Sequence, residues 1–245
     1  MLVEAREYSL MDTAEDGMWW YRAAHARLLR ALRRRPGVDG PVLDAGCGTG
    51  GLLRRLAEAL PERPMGLEYD HAAAERASAK AGVPVARGDL NRLPFADHSF
   101  GAAVSADVLC HRAVVPGDAL AELRRVLRPG ATLVLNLPAF EWLRSAHDAR
   151  VHNARRFTAG GARAMLADAG FDQVEARYWN SLLLPLMALQ RRVLSRHEDS
   201  ASDVAPFPPL LDSALLAVDA AERALSGIGL RFPAGGSVLV VCTRS

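Results

Sequence analysis

Lysine is nearly absent from this 245-residue chain: Lys80 is the only one, and the other cationic side chains are arginines. Because 28 acids almost balance 30 bases, the formal charge is only +2, and no basic stripe with interleaved aromatics is present, so a nucleic-acid partner is not expected. Cysteine is scarce as well. Cys47, Cys110 and Cys242 lie far apart with no CxxC spacing, which indicates neither a disulfide framework nor a zinc site and fits a reducing compartment. No apolar run reaches the roughly 18 residues that a membrane span needs. The nearest, SLLLPLMAL at 181–189, is broken by Pro185. The opening MLVEAREYSLMDTAED carries acids where a secretory leader needs basic and then apolar residues. The expectation is a cytoplasmic protein without stable membrane insertion.

Half of the residues are hydrophobic, enough for a sizeable core. Apolar residues recur at helical spacing from about 16 to 35 and stop at Pro36-Gly37. PVLDAG then reads as a buried strand that runs into a glycine loop and the helix TGGLLRRLAEAL. The alternation continues through strand PMGLEYD, helix HAAAERASAKAG, strands PVARGD and FGAAVSADV, helix AVVPGDALAELRRVLRPG and strand ATLVLNL. Short apolar runs alternating with helical periods indicate βαβ units and a doubly wound α/β sheet. Beyond it come an irregular polar and aromatic stretch, the helix TAGGARAMLADAG, the strand FDQVEARYWN, two helical stretches around VAPFPPL, and a closing strand SVLVVCTRS. The economical organisation is one domain: an N-terminal helical cap over about 1–38, a core over about 39–181 and 237–245, and a helical insertion over about 182–236.

LDAGCGTGG, at 43–51, sits at the first strand-to-helix turn, where such sheets hold their ligands. Glycines permit the tight turn without saying what approaches it, since both dinucleotides and S-adenosyl-L-methionine are held by this spacing. Asp44 helps to decide. A carboxylate there repels a pyrophosphate and attracts the ammonium and sulfonium of S-adenosylmethionine. Glu68, about twenty residues on, is placed to accept both ribose hydroxyls, a feature that dinucleotide folds share. Asp89, in ARGDLNRLPF, is placed over the adenine end with the next backbone amide. A crevice filled by the protein's own side chains, or a diphosphate over residues 46–50, would count against this reading.

LDAGCGTG, GLEYD, GDLNRLPFADHSF, DVLCH and ELRRVLRPGATLVL together resemble the successive motifs of class I S-adenosylmethionine-dependent methyltransferases, in that family's order, from about 41 to 138. The resemblance implies a Rossmann-like, mostly parallel sheet of seven strands, the last antiparallel and lying between the fifth and sixth; SVLVVCTRS would be that strand. It also implies cofactor contacts at Asp44, Gly46, Gly48, Glu68, Tyr69, Asp89, Leu90 and Ser105. Gly101 departs from the family, many of whose members have Asp there. The implied activity is methyl transfer to a small-molecule acceptor, at oxygen or nitrogen. A nucleotide-dependent oxidoreductase and a protein that binds the cofactor without transferring anything are the alternatives.

An oxygen acceptor, or a protonated amine, needs a base, and histidine titrates in the right range. His111 follows the fourth strand at a position that faces the transferring methyl in many relatives. SAHDARVHNARRF crowds His147, Asp148, His152, Arg155 and Arg156 together and resembles a segment of a subgroup of bacterial methyltransferases. A merely solvated polar helix is the plainer alternative there. Arg22, in the N-terminal helix, is the candidate for the methionine carboxylate. Trp19 and Trp20 point to different faces, so one of them wants a second element or a ligand. The insertion is read first as an acceptor lid, then as a dimer contact, then as a membrane-surface helix.

Overall fold

A computed structural model describes residues 5–35, 39–60, 63–193 and 207–245. Seven strands form one sheet in the order β3-β2-β1-β4-β5-β7-β6. β1 (Val42–Ala45), β2 (Met65–Glu68), β3 (Val85–Arg87), β4 (Phe100–Ala106) and β5 (Leu127–Pro138) are parallel. β7 (Ser237–Arg244) runs antiparallel between β5 and β6 (Phe171–Trp179), as the resemblance implied.

Strand periodicity sorts the core into two layers. On one face Leu43, Ala103, Leu133 and Leu135 pack with Leu120 and Leu123 of α5 (Pro116–Val126) and Leu166 of α7 (Ala159–Asp168). On the other, Val42, Ala102, Val104 and Val134 meet Leu28 of α2 (Trp19–Arg34) and Leu52 and Leu56 of α3 (Gly51–Ala59). Successive residues of β1 and β4 therefore belong to opposite layers, as a strand covered on both sides requires. Local signals set the helix ends. The Asp70 carboxylate accepts from the Ala73 amide to start α4 (His71–Ala81), and Thr158 accepts from the Gly161 amide to start α7. Pro116 opens α5 at a position where its missing N–H costs nothing.

Two expectations about boundaries are corrected. The N-terminal stretch contains two helices, α1 (Ala5–Ala14) and α2, separated by a turn at Glu15–Gly17, so the helix expected from residue 16 begins at Trp19. Helix α5 ends at Val126, and Leu127 to Gly130 extend β5. The irregular polar stretch contains a single 3-10 turn at Glu141–Leu143 and a short α6 (Ala146–Arg150).

The insertion contributes α8 (Leu184–Val193) and α9 (Pro209–Gly227). α9 is pinned to the carboxyl end of β6. Glu222 of α9 accepts from the backbone amides of Asn180, Ser181 and Leu182 at 2.8, 2.6 and 3.0 Å. Arg27 of α2 bonds both Glu222, at 3.2 Å, and Asp219, and lies 4.6 Å from the Trp179 ring centre. All four side chains are buried, so the charges satisfy one another in place of water. Trp19 packs into this joint with Leu215, and Trp20 stacks on Trp179 at 6.1 Å. Both tryptophans thus find partners inside the fold.

Candidate functional site

The carboxyl ends of β1, β2 and β4 meet at the glycine loop, where the strand order reverses. Gly46 has φ +88°, and a Cβ there would stand 2.4 Å from Val108 Cγ2; at Gly50, with φ +97°, it would stand 2.7 Å from Ala77 Cα. Both positions are closed to any side chain by conformation and by contact. The amides of Gly46 and Cys47 both donate to the Leu67 carbonyl at 2.9 Å, which ties the loop to β2.

Three acids lie buried around this loop: Glu15, Asp44 and Glu68. Asp44 is 1% exposed, and among the described residues nothing hydrogen-bonds its Oδ2. Burial, with repulsion from Glu15 and Glu68, pushes its carboxyl up to about 8. Glu15 accepts from Thr49 Oγ1 at 2.8 Å and from Lys80 Nζ at 2.5 Å. Burial nevertheless raises its carboxyl above the usual range, with Lys80 pulling the other way. Lys80, the lone lysine, also pairs with Asp12 at 2.5 Å. Glu68 Oε2 accepts from the Gly48 amide at 2.9 Å, and its Oε1 from the Asp70 amide and the Tyr8 hydroxyl, each at 3.0 Å. Burial raises this carboxyl as well.

A second acid stands at the end of β4. Asp107 adopts φ +55°, a strained conformation for a residue other than glycine, and its amide donates to the Asn136 carbonyl at 2.9 Å. Asn136 Nδ2 reaches both carboxylate oxygens of Asp107, at 3.1 and 3.0 Å, while its Oδ1 accepts from Trp179 Nε1 at 2.8 Å. Burial pushes the Asp107 carboxyl up to about 7 against the pull of Asn136 and Arg156. Tyr21 of α2 lies within electrostatic reach of Glu15, Asp107 and Glu7; burial and these three acids all raise its hydroxyl. The two acidic centres therefore flank one part of the α2 N-terminus.

The expected site residues divide. Asp44, Gly46, Gly48 and Glu68 assemble at the loop, and Tyr69 stands beside it, 47% exposed. Asp89 Oδ1 accepts from the amide and side-chain nitrogen of Asn91, both at 2.9 Å, and Leu90 is buried in the core. Ser105 turns inward and donates to the Ala45 carbonyl at 2.7 Å, joining β4 to β1. Arg22 is half-exposed with its guanidinium 3.9 Å from Asp212 of α9. His111 holds the Val151 carbonyl with Nδ1 at 2.7 Å; the carbonyl can only accept, so the neutral ring carries its proton on Nδ1. His152 has φ +55°, and its carbonyl accepts from the Arg112 amide. The side chain of His147 lies outside the described residues.

Asp148, expected among the catalytic candidates, is held entirely by its own segment. It accepts two bonds from Arg156, at 3.0 and 2.8 Å, one from Asn153 and one from the Ser145 amide. Arg156 keeps its carboxyl below the usual range despite burial, which raises it. Arg155 caps the carbonyls of Leu109, His111 and Val114. Much of the polar crowding at 147–156 therefore braces the loop after β4. Glu15, Tyr8, Asp107 and Tyr21 were not singled out from sequence. Only Asp107 had a signal, its place in DVLCH.

An acid-lined glycine loop at the switch point of a sheet in this order defines a Rossmann-like methyltransferase fold. Residues 43–135 match the family model described as a methyltransferase domain. The chain is 34% identical over 119 residues to the 24-methylenesterol C-methyltransferase 2 of Arabidopsis thaliana, covering 46% of this chain and 31% of that protein. It is 39% identical over 128 residues to an uncharacterized 37.1 kDa transposon protein of Streptomyces fradiae, covering 50% and 36%. The chain thus spans about a third of the length of these curated relatives. Among solved structures, a Thermotoga maritima S-adenosylmethionine-dependent methyltransferase shares the fold with TM-score 0.61 and 21% identity over 98% of this chain and 95% of that one. The geranyl diphosphate C-methyltransferase of Streptomyces coelicolor, in complex with S-adenosylhomocysteine, does so at 0.61 and 18% over 91% and 80%.

Proposed function

We propose that this chain transfers the methyl group of S-adenosylmethionine to a small-molecule acceptor. The observation that carries the reading is Asp44 Oδ2, a buried carboxylate oxygen without a partner among the described residues, set between two further acids. A diphosphate would add charge of the wrong sign to that crevice. An ammonium gives the orphaned oxygen a donor and offsets the mutual repulsion of Asp44, Glu15 and Glu68. S-adenosylmethionine supplies, when bound, a methyl on a cationic sulfur that is already a good electrophile.

The chain's own work is then positioning and proton handling. Asp44 is assigned the ammonium, Glu68 the ribose hydroxyls and the Asp89 region the adenine, with Gly46, Gly48, Tyr69 and Leu90 shaping the walls. Ser105 supports the site by locking β4 to β1. Asp107, whose carboxyl titrates near 7, is the residue we assign to take a proton from an oxygen or nitrogen acceptor, ahead of the histidines. His111 presents Nε2 as its proton-accepting nitrogen and is the second candidate; His147 and His152 come after it. Carbon methylation is a further reading, favoured by the relatives named as sterol C-methyltransferases. There a carboxylate at Asp107 would stand against positive charge developing on the acceptor.

Calorimetry with S-adenosylmethionine, together with release of S-adenosylhomocysteine across panels of phenols, amines and isoprenoids, tests the reading. Binding with turnover on one panel is expected. A fluorescence response to NADH with indifference to S-adenosylmethionine would identify the oxidoreductase instead. Cofactor binding with no turnover on any panel would favour a non-catalytic protein.

A further inference from the structure

The base assigned at Asp107 depends on which way one buried amide faces. Asn136 is 1% exposed, and its side chain has unlike ends, an oxygen that accepts and an NH2 that donates. Turned one way, the group donates to Asp107 and favours its charged form. Turned the other way, it sets an oxygen against the carboxylate, an arrangement that only the protonated acid satisfies by donating. The bond from the Asp107 amide to the Asn136 main-chain carbonyl joins the two residues without fixing the sense of the side chain.

The indole of Trp179 decides that sense. Its Nε1–H donates and has no lone pair with which to accept, and it lies 2.8 Å from Asn136. The Asn136 oxygen must therefore face Trp179, which leaves Nδ2 to span both oxygens of Asp107 at 3.1 and 3.0 Å. The indole is itself held in place. Trp20 stacks on it at 6.1 Å, the Arg27 guanidinium lies 4.6 Å from its ring centre, and Glu222 of α9 accepts from the three backbone amides that follow it. The ring is buried, so water does not take its N–H. Other ionisable groups reach Asp107 from elsewhere: Arg156 and Asp148 from the segment after β5, with opposite signs, Tyr21 from α2, and Cys110 from Asp107's own loop. Among the described residues, the hydrogen bonds of the Asn136 side chain go to Asp107 and Trp179.

We propose that Trp179 is a positioning residue for Asp107: through the Asn136 amide it holds the carboxylate in its charged, proton-accepting form. This rests on the assignment of Asp107 as the base above. It also gives the helical insertion a part in the chemistry, since Glu222 of α9 fixes the strand end that carries the indole.

Carboxyl-carbon NMR of the full chain labelled at aspartate, followed from about pH 5 to about pH 10, tests the proposal. The Asp107 signal is the one missing from Asp107→Asn, and its midpoint in the parent is expected at about 7. Trp179→Phe keeps a ring against Trp20 and Arg27 but removes the N–H. The amide is then free to turn, the protonated acid gains a hydrogen bond, and the midpoint should rise by about one pH unit. Asn136→Leu removes the donor outright and should raise it by about one to two units. Added to Asn136→Leu, Trp179→Phe should cause no further rise, because its route to Asp107 is gone. An unchanged midpoint in Trp179→Phe, or an equal rise in both backgrounds, overturns the proposal and leaves Trp179 a structural residue. A parent Asp107 that titrates in the ordinary carboxylate range removes the base assignment and this inference with it. Melting curves establish that each variant is folded, and the parent carries a check that needs no folded variant. Its Trp179 indole N–H resonance should shift with the Asp107 midpoint, polarised through Asn136, and a resonance that stays still across the titration overturns the proposal.

Discussion

Asp44→Asn should make the protein more stable and less able to hold its cofactor. Burial and two neighbouring acids raise the carboxyl from 3.8 to about 8. That displacement corresponds to about 6 kcal/mol of stability lost when the group ionises in the folded state. Asparagine has the same shape without the charge, but its buried amide leaves hydrogen bonds unmade at a cost of about 1–3 kcal/mol. A net gain of about 3 kcal/mol at alkaline pH remains, or about 6–12 °C in Tm for a chain of this length. The folded value lies above the unfolded one, so the parent's contribution from this group is complete below pH 3.8 and is lost as pH rises toward about 8. The variant's advantage should therefore grow across that window and level off above it. Binding should move the other way, because a charge pair at about 4 Å with an effective dielectric near 20 is worth about 4 kcal/mol. After losses to solvation, the cofactor Kd should weaken by about 100-fold. Scanning calorimetry between about pH 5 and pH 9 and cofactor titration measure the two effects. A variant less stable than the parent at alkaline pH, or one that binds the cofactor equally well, refutes the orphaned carboxylate as the site's organising charge.

Three further outcomes are expected. Asp107→Asn should abolish the rise in rate with a midpoint near pH 7 that deprotonation of this carboxyl gives the parent, leaving a slow, flat profile while cofactor affinity holds; an unchanged profile would return the proton to His111. Gly46→Ala should cost about 2–4 kcal/mol in denaturant unfolding through its left-handed backbone and its contact with Val108, and Val108→Ala should restore the steric part only. Arg27→Ala should cost about 3–5 kcal/mol, because Asp219 and Glu222 stay buried without their cation; proteolysis should then cut first around α9, and a variant as stable as the parent would show that the pair contributes little.

The local alternation of strand and helix periods carried the seven strands, and the glycine spacing with Asp44 carried the position of the loop. These are properties of neighbouring residues, set by side-chain period and by backbone permission, and they survive without knowledge of the fold. The break between α1 and α2 was less legible, since helical composition runs through it and only Gly17 interrupts. What the chain order could not determine is which distant acids meet. Glu15 and Glu68 are separated by fifty-odd positions yet share Asp44's surroundings, and Asp107 meets Asn136 only because β4 and β5 lie side by side. The polar crowding at 147–156 shows the same dependence on the fold: Asp148 and Arg156 found each other, and Arg155 found the carbonyls of another loop. Burial and charge proximity are sums over the whole packed molecule, so only the tertiary structure decided which carboxylates are held and that Asp44 Oδ2 has no partner among the described residues.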